Sequence, residues 1–167
     1  EVVGREETDY SGADIVILGC PQDEGVRRNH GRPGAAGAPT AIRAQFYKLS
    51  TFNSTKRIFD LGDVRLGGDL EETHDTQIEV VKSLLADGKR IIVLGGGNDI
   101  SYADGKAMSE SFGFENWIAI NIDAHLDVRI ADQRNSGTPY RQLLDEKLIR
   151  PDYFYEVGYQ SHFCSPV

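Results

Sequence analysis

Two carboxylates and an imidazole alternate in the stretch Asp-Ala-His-Leu-Asp at residues 123–127. They directly follow an apolar run, residues 117–122, that has the length and β-branched composition of a strand buried on both faces. Alternate side chains of an extended chain point the same way, so Asp123, His125 and Asp127 are expected to converge at the carboxyl end of that strand. Open α/β sheets bind their ligands at that end. This mixture of oxygen and nitrogen donors suits Mn, Fe or Zn better than Ca, so the pattern predicts a metal site. The alternative is that these are polar residues leaving a strand, with His125 held only by hydrogen bonds.

A glycine-rich turn, residues 95–99 with the sequence Gly-Gly-Gly-Asn-Asp, lies between a predicted strand and a predicted helix. It could cradle a phosphate at the helix N-terminus, although neither common phosphate-binding fingerprint is present. It could instead be a tight turn that needs a positive φ. A third interpretation places Asn98 and Asp99 beside the Asp123 cluster, because both loops leave the same edge of the sheet. Asn98 could then bind a metal only through its neutral amide oxygen.

The elements that position these residues alternate between strands and helices. We predict strands at residues 14–19, 57–61, 90–94, 117–123 and 153–158, and helices at residues 38–49, 73–86, 101–109 and 139–148. This alternation is typical of a parallel sheet with helices on both faces. Residues 1–12 are predicted to be a loose lead-in, and residues 20–37 a long loop that leaves the same sheet edge as Asp123 and is expected to be functional. The last predicted strand has no following helix, so the domain is expected to be incomplete at the C-terminus.

Composition narrows the class of protein. The chain has 167 residues and a formal net charge of −8, and its acidic balance argues against a nucleic-acid-binding surface. Its apolar runs are only strand length, so we expect no membrane span. Cys20 and Cys164 form no metal-binding pair, and we expect two buried free thiols in a reducing cytoplasm, with a disulfide as the alternative.

The sequence resembles the ureohydrolases, the family that includes arginase, agmatinase and formimidoylglutamase. Residues 94–97 and 122–127 carry this resemblance, and residues 21–35 and 135–142 are similar to the formimidoylglutamase branch. The resemblance extends from about residue 14 to the end of the chain. It implies a three-layer α/β/α fold with a mainly parallel sheet, in which residues 1–167 are the N-terminal portion of a single arginase-like α/β domain.

The resemblance also implies a chemistry. The family holds two Mn²⁺ ions bridged by a hydroxide, which attacks the amidine-type carbon of a small substrate. In this branch the substrate would be N-formimidoyl-L-glutamate, which yields L-glutamate and formamide in histidine catabolism; agmatinase or arginase activity is the alternative. The implied metal ligands are Asp123, His125, Asp127 and, less favourably, Asn98, and the implied catalytic residues are Asp123, which would bridge both ions, and His125. The implied substrate contacts are Arg129, Ser136, Arg32 and Asn29. A homo-oligomer in the cytoplasm is expected.

Two departures from the family pattern bear on the metal. Asn98 stands where the family has histidine, and the chain ends before a later Asp-x-Asp motif that supplies two more carboxylates. We therefore expect fewer than two Mn²⁺ ions, or none, and little hydrolase activity from these 167 residues. A non-catalytic relative with a degraded metal site, serving as a binding or regulatory subunit, is the second hypothesis. A nucleotide-binding α/β domain that uses the glycine turn is the third.

Overall fold

The computed structural model describes residues 3–4, 7–50 and 55–163. In these ranges strands and helices alternate along the chain. The strands are β1 (Val3–Gly4), β2 (Ile15–Cys20), β3 (Ile58–Asp63), β4 (Arg90–Gly95), β5 (Ala119–Ile122) and β6 (Phe154–Val157). The α-helices are α1 (Glu7–Ser11), α2 (Glu24–Arg28), α3 (Ala38–Phe46), α4 (Leu70–Ala86), α5 (Ile100–Phe112) and α6 (Pro139–Asp145). Short 3₁₀ turns occupy Ala35–Gly37, Pro151–Tyr153 and Ser161–Phe163.

The strands pair in parallel throughout the described part of the chain. One sheet has the order β1-β3-β2-β4, and β5 pairs with β6 in a separate two-stranded ladder. β2 lies between β3 and β4, and its side chains from Val16 to Cys20 are buried, which explains its continuous apolar sequence. The predicted three-layer α/β/α class with a mainly parallel sheet is confirmed. The separation of β5 and β6 from the larger sheet was not predicted.

Helix α4 packs on the sheet through an apolar stripe at helical spacing. Ile78 and Val81 lie in one core cluster with Leu18 and Cys20 of β2, while Leu84 packs with Val16 in another. The sequence predicted that this helix begins at residue 73, but it begins at Leu70. Asp69 is the N-cap, and its carboxylate accepts a hydrogen bond from the Glu72 backbone N–H at 2.8 Å.

A second core joins the β5–β6 ladder to helices α5 and α6. It is built from large aromatic and aliphatic side chains, namely Tyr102, Trp117, Tyr140, Leu143 and Ile149. Tyr140 stacks on Phe154 of β6 with ring centroids 4.5 Å apart. The Trp117 indole donates to the Leu148 carbonyl at 3.0 Å, so the polar edge of this buried ring is also satisfied.

Several predicted elements differ from the observed ones. The lead-in is not loose throughout, because Val3–Gly4 pairs with β3 and Glu7–Ser11 is helical. The loop after β2 contains α2 and a 3₁₀ turn. The central strand ends at Ile122, before the Asp-Ala-His-Leu-Asp stretch.

The β5–β6 ladder exposes apolar side chains on the part of its surface that the structure describes. Ile120 is 57% exposed and Ile122 80%, and Tyr155 and Val157 of β6 are about half exposed. Within the described ranges β4 and β5 are each paired along one edge only. None of the described helices is both long and apolar enough to cross a membrane.

The half-buried carboxyl group of Asp104 lies between α4 and α5. Burial raises the pKa of Asp104 to about 6, and its partner is Gln77, whose Nε2 donates to it at 2.7 Å. Gln77 Oε1 is buried without a partner in the described structure. Because the folded-state pKa lies above the unfolded value, stability falls as the pH rises from about 4 to about 6 and stays low above it. Asp104→Asn removes the buried charge and supplies an N–H for Gln77, so it should raise the free energy of unfolding by about 1 kcal/mol above that range.

Urea denaturation of the wild type and the Asp104→Asn variant on both sides of that pH range measures the effect. Asp132→Asn, at an exposed position, is the control and should leave the pH profile unchanged. An equal gain in acid and in neutral buffer would show that the buried charge is not the cause.

Candidate metal centre and substrate contacts

Asp123 and His125 form a pair in the turn that follows β5. The Asp123 backbone N–H donates to the Val157 carbonyl at 3.1 Å, which holds the start of this turn against β6. Asp123 Oδ1 accepts from the His125 backbone N–H at 2.8 Å and lies 2.9 Å from His125 Nδ1. When Nδ1 carries the proton, His125 Nε2 is available to a ligand. Asp123 Oδ2 is available as well, because the contacts with His125 use Oδ1. Both side chains are partly exposed.

Asp127 lies in a second pair, with Asn98 of the glycine turn. The Asn98 amide donates to Asp127 Oδ2 at 2.5 Å, and its own oxygen accepts from the Ser101 hydroxyl at 3.0 Å. Asp127 has a left-handed backbone with φ 49°, a strained conformation that non-glycine residues rarely adopt. Burial raises the pKa of its carboxyl group to about 6, and the negative charge of Asp123 adds to that shift.

The two pairs do not form one ligand cluster. The predicted convergence along an extended strand is wrong, because β5 ends at Ile122 and the chain bends before the ligands. Across the described ranges, no group of three or more His, Cys, Asp or Glu side chains is arranged to hold a metal ion. The donor chemistry nevertheless fits Mn²⁺: carboxylate and imidazole donors lie within residues 123–127, and the amide of Asn98 contacts Asp127. A cation would also offset the negative charge of Asp123, which adds to the effect of burial in raising the pKa of Asp127.

The glycine turn serves close packing rather than an unusual backbone or a phosphate. Gly95, Gly96 and Gly97 are absent from the residues with positive φ, so that interpretation is wrong. The N–H groups of Gly96 and Gly97 donate to the carbonyls of Cys20 and Gln22, at 3.3 and 3.0 Å, and are not free to cradle a phosphate. A Cβ on Gly96 would lie 1.8 Å from the Gln22 carbonyl oxygen. The turn therefore brings Asn98 against the loop that follows β2.

Three of the four predicted substrate contacts lie together. The Asn29 amide donates to Ser136 Oγ at 3.0 Å, and Arg129 Nη1 donates to Asn29 Oδ1 at 2.5 Å. The Ser136 backbone N–H donates to the Gly25 carbonyl at 3.0 Å, which ties this loop to α2. Arg32 is exposed and has no hydrogen bond to any of these three residues. Its predicted role stays a prediction.

Sequence reasoning named Asp99 as a possible neighbour of the Asp123 cluster but missed its buried polar partners beneath the glycine turn. His74 and Asp99 are almost fully buried, and His74 Nε2 lies 2.9 Å from Asp99 Oδ2. Gln22 Nε2 donates to the same oxygen at 2.5 Å. The available signal was the presence of His74 and Gln77 on the apolar face of α4, where polar side chains need buried partners.

A second missed contact supports the loop that carries Ser136. The Arg28 guanidinium makes two hydrogen bonds with the Glu71 carboxylate and also donates to the Arg134 carbonyl at 3.3 Å. The Arg134 guanidinium lies 4.2 Å from the centre of the buried Tyr102 ring. These contacts attach the loop to α2, α4 and α5.

Cys20 is a buried free thiol, as predicted. Burial, with the negative charges of Asp99 and Asp104, raises the pKa of Cys20 to about 12, so its reactive thiolate form is disfavoured. Cys164 lies outside the described residues, so the alternative of a disulfide is not tested.

Comparison with known proteins gives one family throughout. The sequence model of the Arginase family matches residues 13–164. Formimidoylglutamase of Salmonella arizonae is 43% identical over 130 residues, which cover 77% of this chain and 42% of that protein. The formimidoylglutamase of Salmonella paratyphi C is 42% identical over 147 residues, covering 86% of this chain and 47% of that protein. The chain thus spans less than half the length of these curated relatives.

Solved structures agree with this result. Trypanosoma cruzi formiminoglutamase with Mn²⁺₂ has a TM-score of 0.87 and 39% identity, covering 97% of this chain and 57% of that one. The structure of a variant of the same enzyme, with one asparagine replaced by histidine, is also solved with Mn²⁺₂. This structure has a TM-score of 0.87 and 38% identity, and the match covers 93% of this chain and 55% of that one.

Metal binding should depend on Asp123 more than on Asn98. Asp123 carries a charge and keeps one oxygen free, whereas Asn98 is neutral and its amide is engaged with Asp127 and Ser101. Elemental analysis of Mn after gel filtration compares the wild type with Asp123→Ala and Asn98→Ala. Loss of metal in Asn98→Ala but retention in Asp123→Ala would refute this assignment.

Mn²⁺ affinity should also fall as the pH drops through about 6. The pKa of Asp127 is raised to about 6, so below that pH a metal ion must displace its proton before it binds. In a calorimetric titration, the contribution of Asp127 should lower the Mn²⁺ affinity about tenfold for each pH unit below that value. Above that value the same contribution should change little. In Asp127→Asn binding should be weaker and this component of the pH dependence should vanish; an unchanged profile would contradict the role of Asp127.

Proposed function

Because this chain belongs to the arginase family, we propose that it contributes the metal ligands and part of the substrate site of a Mn²⁺-dependent hydrolase. The substrate of this hydrolase is N-formimidoyl-L-glutamate, and its products are L-glutamate and formamide. The observation that carries the proposal is that one segment, residues 123–136, bears the three potential ligands Asp123, His125 and Asp127 together with Arg129 and Ser136. Asn98 contacts the metal end of this segment at Asp127, and Asn29 contacts both Arg129 and Ser136. The identity to curated formimidoylglutamases supports this branch over agmatinase and arginase.

Asp123, His125 and Asp127 would hold the metal, with Asn98 as a weaker fourth ligand. Mn²⁺ bound there would supply positive charge that lowers the pKa of a water molecule and polarises the amidine. With the proton of His125 on Nδ1, Asp123 Oδ1 would accept from the ring and orient it, and Nε2 would keep its lone pair for the metal. Asp127 is half-buried and loses its proton above about pH 6, so it carries a negative charge at neutral pH. The Mn²⁺₂ of the Trypanosoma enzyme supports manganese as the metal.

The substrate carboxylates would meet Ser136 and Arg129. Ser136 Oγ accepts from Asn29, so its own hydroxyl proton is free to donate to a carboxylate. Arg129 uses one terminal nitrogen for Asn29 Oδ1, which orients the guanidinium while its other N–H groups stay available. Two carboxylates distinguish N-formimidoyl-L-glutamate from agmatine, which has none. Arg32, in the loop after β2, is proposed as a further carboxylate contact.

A non-catalytic relative with a degraded metal site is the second candidate. It is favoured by the observation that the potential ligands in the described ranges form two pairs rather than one cluster. The cytoplasmic location and the homo-oligomeric state expected from the sequence stay predictions.

Ligand binding by the Mn²⁺-loaded chain tests the proposal. Calorimetric titration should show tighter binding of N-formimidoyl-L-glutamate than of arginine or agmatine. Arg129→Gln should weaken that binding about tenfold, because a charge-assisted contact to a carboxylate is lost. Arg90→Gln, an exposed arginine at the opposite end of the sheet, is the matched control and should change nothing.

Formamide release should be measured on the same samples. The sequence predicts little turnover, because the chain ends before the later Asp-x-Asp motif of the family. A preference for agmatine would move the protein to another branch of the family. Failure to bind Mn²⁺ at all would favour the non-catalytic relative.

A further inference from the structure

Asp99 stands at the start of α5 but does not cap it. An aspartate at an N-cap ordinarily accepts a hydrogen bond from a backbone N–H of the first helical turn, as Asp69 does for α4. Asp99 is the N-cap of α5, yet its side chain makes no capping hydrogen bond. Its carboxylate turns into the protein instead and is 1% exposed. Helix α5 therefore lacks a side-chain cap, and the Asp99 carboxylate makes its contacts elsewhere in the protein.

The Asp99 carboxylate joins three segments of the chain. Oδ2 accepts from Gln22 of the β2 loop and contacts His74 Nε2 of α4, while its backbone continues the glycine turn. Oδ1 has no hydrogen-bond partner in the described structure, although it is buried. Because this carboxylate is buried, a movement away from Gln22 and His74 would cost it both contacts.

Two glycines make room for this carboxylate. A Cβ on Gly25 would lie 2.0 Å from Asp99 Oδ1, and a Cβ on Gly97 would lie 2.2 Å from the same atom. Neither glycine has a positive φ, so the backbone conformation does not require them. Helix α2 and the glycine turn therefore both pack directly on the Asp99 side chain.

The segments that meet at Asp99 also hold the two halves of the proposed site, namely the metal ligands and the substrate contacts. Asn98, the partner of Asp127, is the preceding residue. The Gly25 carbonyl accepts from the Ser136 backbone N–H, and Ser136 bonds to Asn29. Asp99 is thus the point where the metal side and the substrate side are attached to one another.

We propose that Asp99 is a positioning residue that sets the distance between the glycine turn, which presents Asn98 to the metal, and α2, which holds Asn29 and Ser136 for the substrate. This inference rests on the proposed function, which assigns one half of the site to the metal and the other half to the substrate. The mechanical coupling between them exists with or without a metal ion, so it can be tested separately.

Asp99→Ala and Asp104→Ala are a matched pair for the test. Both remove a carboxylate at or near the start of α5, but Asp104 is half-buried and hydrogen-bonds to Gln77 rather than to either half of the site. Without metal, ¹⁵N correlation spectra should show Asn29 and Ser136 amides displaced in Asp99→Ala and unchanged in Asp104→Ala. With metal, Asp99→Ala should lower Mn²⁺ affinity about tenfold, the usual cost of losing a group that orients a ligand, while Asp104→Ala should not.

The conservative variant separates positioning from charge. In Asp99→Asn the side chain keeps its shape between Gly25 and Gly97, and its oxygen still accepts from Gln22, so Mn²⁺ affinity should stay within about threefold of the wild type. If Asp99→Ala does not fold, Gln22→Leu cuts the contact to the β2 loop and should displace the Ser136 amide. Unmoved Ser136 and Asn29 resonances in these variants, or equal effects in Asp104→Ala, would overturn the proposal. If the wild type binds no Mn²⁺ while the resonances move as expected, the positioning role stands and the proposed function fails.

Discussion

The close approach of the chain leaving β2 to the chain leaving β4 is the constraint on which the site depends. The parallel ladder ends at the pair Cys20 and Gly95, and beyond it the turn donates to carbonyls of the neighbouring loop. Any side chain on Gly96 would overlap the Gln22 carbonyl, so only glycine permits this approach. One consequence is that Asn98 and α2 reach the same sheet edge. A second is that Asp99 is enclosed between them and buried.

Much of this arrangement could be predicted from sequence. β2, β4 and α4 follow from apolar runs and helical periodicity, and the parallel fold follows from their alternation. The position of the Asp-Ala-His-Leu-Asp stretch after a strand was also foreseen. Its geometry was not, because strand alternation was extended past Ile122 into a turn stabilised by the Asp123 side chain itself. Asp99 was named only as a possible neighbour of the Asp123 cluster. Its burial was missed because it results from contacts with Gln22 and His74, which are far away in the sequence and which periodicity does not report.

The metal half of the site is electrostatically unfavourable on its own. Asp127 combines a left-handed backbone, burial and a neighbouring carboxylate, and each raises the free energy of the ionised, folded state. Such a group is stabilised by a cation, which is the physical reason to place Mn²⁺ here rather than to read the carboxylates as surface charge. The substrate half differs: Arg129, Asn29 and Ser136 satisfy one another while leaving donors free. The proposed cation would thus bind residues 123–127, and the proposed anionic substrate would contact the part of the same loop that follows, from Arg129 to Ser136.

Paramagnetic broadening by Mn²⁺ tests the central claim, a metal site after β5, most directly. Substoichiometric Mn²⁺ is added to ¹⁵N-labelled chain, and the loss of amide signal is followed residue by residue, with Mg²⁺ as a diamagnetic reference. We expect the amide signals of Asn98 and residues 123–127 to broaden first, followed by those of Ser136 and Asn29. Broadening centred on the cleft lined by Asp23, Glu24 and Asp69, or spread evenly over the surface, would contradict it.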